Sequence, residues 1–203
     1  MSTAHRRALR RCPWAGIADV EYQRYHDEEW GVPITTDRAL FEKLVLEGFQ
    51  AGLSWLTILR KRSNFRSAFA GFAPESVASF GSKDISRLMK NEGIVRNRAK
   101  IEATISNAKA YIRLAERTSL SELMWGFLEK GPIQNRYKTM ADVPTETELS
   151  RHMSKALKGE GFRFVGPTTL YALMQSVGMV NDHLVDCHRH APCAKLQRAR
   201  ATL

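Results

Sequence analysis

The sequence predicts an all-α protein. Apolar residues recur at three- and four-residue steps through most of the chain, and no stretch shows two-residue alternation long enough to build a sheet. With 43% hydrophobic residues among 203, the chain can bury a sizeable core as one domain or two small ones. It carries no internal repeat and no low-complexity tract.

Taken in order, the helical signals are distinct. Asp37 suits a cap for a helix bearing Leu40, Phe41, Leu44, Val45 and Phe49, and Ser54 suits one for the next, with Leu56, Ile58 and Leu59. Pro74 starts a short helix before Val77 and Phe80, and Asp84 begins a segment with Ile85, Leu88 and Met89 that Gly93 closes. From Arg98 to about Leu114, the spacing of Ile101, Ile105, Ala108 and Ile112 makes the clearest amphipathic helix. Residues 130–144 are polar and hold Pro132 and Pro144, so a surface loop is expected to divide the chain there. Thr145 with Glu148 forms a capping-box pattern for a helix through Leu149, Met153 and Leu157, which Gly159 and Gly161 break. Another helix follows Gly166 from Pro167 to near Gly178, so residues 145–178 read as helix, short turn (FRFVG), helix. Such a turn can aim unpaired first-turn amides at a phosphate, or it can be an ordinary helical hairpin.

The formal charge of +10 favours a polyanionic partner, nucleic acid first. Arg6, Arg7, Arg10 and Arg11 form a basic arm that suits either a polyanion or a solvated tail. No stretch approaches the roughly 18 uncharged apolar residues of a membrane span, and residues 1–11 lack the apolar segment of a signal peptide, so a cytoplasmic protein is expected. The expected organisation is a flexible tail over 1–11, one unit over 12–190 and a C-terminal tail over 191–203.

Three cysteines, Cys12, Cys187 and Cys193, are too few for a disulfide framework. His183 and Cys187 stand four residues apart, so on a helix both would share a face at zinc-ligand separation, and Cys12 with His26 supplies the same two residue types near the other end. Together they would make a closed, structural Cys2His2 site. The other reading is that these are plain core or surface residues, with His188, His190 and Cys193 as decoys, and residue types leave both open.

Trp14, Tyr22, Tyr25, Trp30 and Trp55 lie within about forty residues, a pattern that suits a flat or cationic ligand as well as an aromatic core. Glu47 tips the balance to a pocket. It interrupts the apolar run of Leu44, Val45, Leu46 and Phe49, where a carboxylate is costly unless it binds something, such as a base's amino group.

Four segments, Cys12-Pro-Trp14, YHDEEWGVP (Tyr25–Pro33), LEGFQAGLSW (Leu46–Trp55) and GFRFVGPTTLYALMQSVGMVNDH (Gly161–His183), resemble in order the 3-methyladenine DNA glycosylase I family. The resemblance implies a helix-hairpin-helix DNA glycosylase fold with one structural zinc ion on Cys12, His26, His183 and Cys187, joining the N- and C-terminal segments. It implies that Glu47 is the pocket carboxylate that contacts the methylated adenine. Tyr25 and Trp55 would sandwich or edge the base, with Trp14, Tyr22 and Trp30 completing the wall. Leu53, following Gly52, would be the plug that enters the DNA stack, while Gly166 and Thr168 fall in the DNA-binding hairpin.

Helix-hairpin-helix glycosylases that also cut the strand carry a lysine where this chain has Thr168, which implies a monofunctional enzyme. Their catalytic aspartate falls at Asn181 here, leaving no obvious general base although Asp182 is adjacent. A base methylated on its ring is cationic and departs neutral, so selection and positioning after extrusion would be the enzyme's task. The implied partner is double-stranded alkylated DNA, with no membrane, no protein partner and a monomer expected. A rival reading is a catalytically silent zinc-stapled DNA-binding protein. A metal-dependent hydrolase is disfavoured because four protein ligands leave no place for water.

Overall fold

A central helix buried over most of its length organises the molecule. The computed structural model describes residues 9–16 and 19–200, so Arg6 and Arg7 of the expected basic arm lie outside the described residues. In the helix α2 (Asp37–Gln50), Leu40, Phe41, Leu44, Val45, Leu46 and Phe49 are buried, and Lys43 and Glu47 are buried with them. The helix packs against α3 (Trp55–Ala68), α6 (Arg98–Ala115), α7 (Leu120–Trp125) and α9 (Pro167–Ser176).

A short 3-10 turn, Pro13–Ala15, leads to α1 (Val20–Glu28), and α4 (Pro74–Ala78) and α5 (Ser82–Lys90) lie against α6. The remaining helices are α8 (Glu148–Gly159), which pairs with α9, and α10 (His190–Arg200). Two two-residue strands, β1 (Ile133–Gln134) and β2 (Val180–Asn181), pair in parallel. Among the described residues no helix is long and apolar enough to cross a membrane.

Several helix starts follow the sequence. Ser54 accepts the Thr57 amide at 3.2 Å, and Pro74 and Pro167 sit in the first turns of α4 and α9. Others differ for identifiable reasons. The capping box of α8 is Thr147 with Ser150, because Glu148 is already helical and the Thr145–Glu148 pattern falls two residues early. Asp37 is the first residue of α2, and its carboxylate reaches across to α7, accepting the Leu120 and Ser121 amides at 3.1 and 2.9 Å and the Tyr111 hydroxyl at 3.1 Å. The expected surface loop over 130–144 is pinned through β1, with the Ile133 amide donating to Met179 O at 3.0 Å.

From His190 to Arg200 the chain is a docked helix where a tail over 191–203 was expected, residues 201–203 lying outside the described residues. Cys193 and Gln197 are fully buried, and the Gln197 amide donates to Gly31 O at 2.8 Å. Its buried face is built from cysteine, alanine and glutamine, which do not read as an apolar stripe. Toward the N-terminus, Arg10 pairs with Asp186 and Arg11 with Asp27, at 2.6 and 2.7 Å.

Because one carboxylate serves two amides of another helix, Asp37→Ala should lower unfolding free energy by about 1–2 kcal/mol, the cost of a lost cap, in urea titrations followed by circular dichroism.

Candidate functional site: a buried carboxylate pocket beside a Cys/His cluster

Cys12, His26, His183 and Cys187 are all buried, and their ligand atoms lie within 4.8 Å of one another. His183 and Cys187 are not on a helix as expected; they sit in the turns between β2 and α10, and chain reversal rather than helical spacing brings them together. Cys12 Sγ is 3.7 Å from His183 Nδ1, and Cys187 Sγ is 3.5 Å from both His183 Nδ1 and His26 Nε2. A tetrahedral ion at ordinary Cys and His bond lengths spaces its ligands about 3.3–3.8 Å apart. The second nitrogens are engaged outward, His26 Nδ1 with the Asp27 carboxylate at 2.8 Å and His183 Nε2 with Trp30 O at 3.0 Å, the arrangement that orients ligating imidazoles. The Leu184 and Arg189 amides point at the two sulfurs, and hydrogen bonding from Cys12 holds the Cys187 thiol well below its usual pKa. The four residues therefore could hold a metal ion.

The same cluster carries the walls of a cavity of about 250 Å³, lined by Trp14, Tyr22, Tyr25, Trp30, Glu47, Gln50, Trp55, Met140, Ala172, Gln175 and Ser176. Trp14 lies two residues after Cys12, Tyr25 immediately before His26, and the Trp30 ring packs edge-on to His183 at 4.6 Å. Trp14 touches Tyr22 and Trp30, each at 5.0 Å between centroids. Tyr25 and Trp55 are 5.4 Å apart with their planes tilted by 43°. Rings already in contact admit no base between them, so these two form one wall against which a flat ligand can lie.

Glu47 is 4% exposed and has Gln50 one turn later on the same side. Burial pushes its carboxyl up to about 7, with Lys43 and the Ser176 hydroxyl drawing it back. Lys43, one turn earlier on α2, is a buried charge that sequence reading passed over. Its Nζ lies 4.7 Å from the Tyr25 ring centroid and 5.3 Å from that of Trp55, with no hydrogen-bond partner, and burial lowers its pKa to about 8.

The residues expected to meet DNA flank this pocket. Leu53 is 42% exposed on the turn between α2 and α3, where Gly52 takes a positive φ of 81°. Lys100, also missed from the sequence, is buried and donates to Phe49 O at 2.8 Å and Ala51 O at 2.6 Å, capping α2 and holding that turn. The turn between α8 and α9 packs on α2 at Gly48, where a side chain would approach Phe164 Cβ to 3.3 Å. Asn107 clamps this turn from α6 by exchanging hydrogen bonds with the Arg163 amide and carbonyl at 2.7 and 3.0 Å. Gly166 precedes an α9 N-terminus without a side-chain cap, and Thr168 beside it is exposed.

Neither residue of the Asn181-Asp182 pair lines the cavity. The Asp182 carboxylate accepts from Asn135, Tyr171 and Gln175 at 2.7, 2.7 and 2.8 Å, and Asn181 is buried, donating to Gln134 and to His190 O. Gln175 links the two regions, since it also lines the pocket.

The methyladenine glycosylase family profile matches residues 14–190. Over 184 residues the chain is 48% identical to a DNA-3-methyladenine glycosylase of Haemophilus influenzae, covering 90% of this chain and 97% of that protein. A crystal structure of 3-methyladenine DNA glycosylase I superposes with a TM-score of 0.87 at 44% identity, covering 89% of this chain and 100% of the other. A variant of 3-methyladenine DNA glycosylase I in complex with 3-methyladenine superposes at 0.84, with 37% identity over 89% of this chain and 97% of that one.

Replacing Lys100 by Met removes two charge-assisted hydrogen bonds from the end of α2, at about 1–3 kcal/mol each. Hydrogen exchange should accelerate at Ala51–Ser54 ahead of the helix cores.

Proposed function

The chain belongs to the methyladenine glycosylase family, and from that premise we propose that it is a monofunctional DNA glycosylase acting in the cytoplasm, which extrudes 3-methyladenine from alkylated double-stranded DNA and hydrolyses its N-glycosidic bond. The observation that carries this reading is Glu47, a buried carboxylate at the floor of an aromatic cavity flanked by an exposed leucine turn and a helical hairpin.

The chemistry follows from the base. Methylation on the ring leaves a cation whose departure as a neutral base needs no protonation. The enzyme's work is then to pay the cost of extrusion, which is smaller for damaged bases, and to hold the base while positive charge moves to the sugar. The aromatic wall offers faces to a flat cation, and Glu47 accepts hydrogen bonds from its amino side. Uniform binding of the cation would not accelerate bond cleavage, so Glu47 serves chiefly recognition, with hydrogen bonds that strengthen as the base leaves.

Asp182 is not free to act as a general base, since its carboxylate is occupied by three donors, and this fits a leaving group that is already activated. DNA phosphate and a water on the sugar face would assist the oxocarbenium-like transition state. Thr168 offers no amine for a Schiff base, consistent with base release alone. Leu53 would fill the gap left in the stack, and the uncapped start of α9 after Gly166 would meet the phosphates of a helix-hairpin-helix contact.

We assign one structural zinc ion to Cys12, His26, His183 and Cys187. Two sulfurs and two imidazole nitrogens, three of whose pairs lie 3.5–3.7 Å apart and all within 4.8 Å, suit zinc, and four protein ligands would close its coordination. Its contribution would be to fix the pocket walls.

The direct test is release of free base from alkylated DNA. Glu47→Gln should sharply reduce 3-methyladenine release while circular dichroism stays native. Since the ionised carboxylate is the acceptor, wild-type activity should fall as pH drops through about 7, and that acid limb should vanish in the variant. Duplex binding with no release of any base by the wild type would instead indicate a silent DNA-binding module. Cys187→Ser should lose zinc by elemental analysis and, with it, stability on the order of 2.7 kcal/mol where the ion is present at a hundredfold over its dissociation constant; full stability with no metal in the wild type would sink the zinc assignment.

A further inference from the structure

Two charges are buried one helical turn apart on α2, and the proposed reaction uses only one. Lys43 is 6% exposed and its Nζ has no hydrogen-bond partner, yet it is not part of the cavity lining; it lies against the Tyr25 and Trp55 rings, whose side chains line the cavity. A desolvated ammonium without hydrogen bonds is costly unless something nearby favours its charge.

The groups facing it narrow that something down. Glu42 and Glu47 come from its own helix, Glu29 from the end of α1 and Arg62 from α3. Glu29 is already paired with Arg62, bidentately, and Glu42 with Arg66 at 2.7 Å. Around Glu47 stand Lys43, the Ser176 hydroxyl of α9, and the Tyr22 and Tyr25 rings of α1. That leaves Lys43 and Glu47, one helical turn apart, as each other's remaining countercharge, with Lys43 Nζ making no hydrogen bond.

We propose that Lys43 is a positioning residue of the base pocket: its unpartnered ammonium, held against Tyr25 and Trp55 one helical turn from Glu47, favours the ionised form of Glu47, so that the pocket more often meets a cationic base with its acceptor already charged. The inference rests on the reading of Glu47 as the base-binding carboxylate. Without Lys43, burial alone would govern Glu47, and a protonated carboxyl would present the base with a donor where it needs an acceptor. The lysine touches no substrate atom; it acts through Glu47.

The test is the pH dependence of kcat/KM for 3-methyladenine release from alkylated DNA, measured for the wild type, Lys43→Met, Glu47→Gln and the double variant. Methionine keeps the length and apolar stem of the side chain, so the fold should persist by circular dichroism. The acid limb should move up by about one pH unit in Lys43→Met, a loss of about tenfold at pH 6 that closes at alkaline pH. In the Glu47→Gln background the lysine change should alter the profile's shape not at all. A limb that Glu47→Gln removes but Lys43→Met leaves in place would overturn the Lys43 assignment alone. A limb that survives in Glu47→Gln would overturn both it and the reading of Glu47. Should Lys43→Met not fold, NMR titration of the Glu47 carboxyl in the wild type and in Lys43→Gln gives the same answer: a higher midpoint in the variant supports the proposal, an unchanged one defeats it.

Discussion

Four side chains from opposite ends of the chain converge in one buried cluster, and the pocket's shape depends on that convergence. Cys12 comes from just before the Pro13–Ala15 turn and His26 from α1, His183 and Cys187 from the turns before the last helix. Each of three of them is tied to a pocket aromatic, Cys12 to Trp14, His26 to Tyr25, and His183 to the Trp30 carbonyl and ring. Closing a loop of that length costs entropy, and a metal ion shared by four ligands would offset it while setting the angles at which the aromatic walls stand. Gln197 of α10 bonds to Gly31 and Arg11 to Asp27, so the cluster's surroundings are cross-linked in the same sense.

The second organising feature is charge placed inside α2. A helix buried on nearly all sides is an expensive site for Glu47 and Lys43, and each is displaced from its ordinary pKa by that burial. The surrounding ion pairs, Glu29 with Arg62 and Glu42 with Arg66, neutralise their own members and leave these two facing one another. What would be a packing fault in a structural helix stands here beside an aromatic cavity, the setting in which displaced charges mark candidate functional sites. The supports are equally specific: Lys100 caps the end of α2, Asn107 clamps the hairpin that packs at Gly48, and Asp182 orients Gln175.

Much of this architecture was legible in local patterns, and the failures are informative. The long amphipathic helix from Arg98 and the break between α8 and α9 follow from side-chain period and glycine placement, which are properties of adjacent residues. The docked α10 was not legible, because its buried face carries cysteine, alanine and glutamine whose burial depends on Gly31 and Gln134 far away. Asp37 looked like a cap for its own helix and caps another, since a carboxylate serves whichever unpaired amides tertiary packing brings to it. Glu47 was conspicuous as a charge in an apolar run. Lys43 was not, because a lysine one turn away resembles the solvated edge of any helix.

By itself, the sequence determined the helical class, the glycine-broken hairpin and the residue types of the Cys/His and aromatic sets, all of which are encoded in composition and short-range spacing. Only the tertiary structure decided that the histidine and cysteine donors meet in one buried cluster, with His183 and Cys187 coming from turns rather than from one helix face, that Tyr25 and Trp55 form one wall rather than two jaws, and that Lys43 shares the interior with Glu47. Those outcomes depend on distances between segments up to 171 residues apart, and on the loss of water around charges, neither of which local periodicity records.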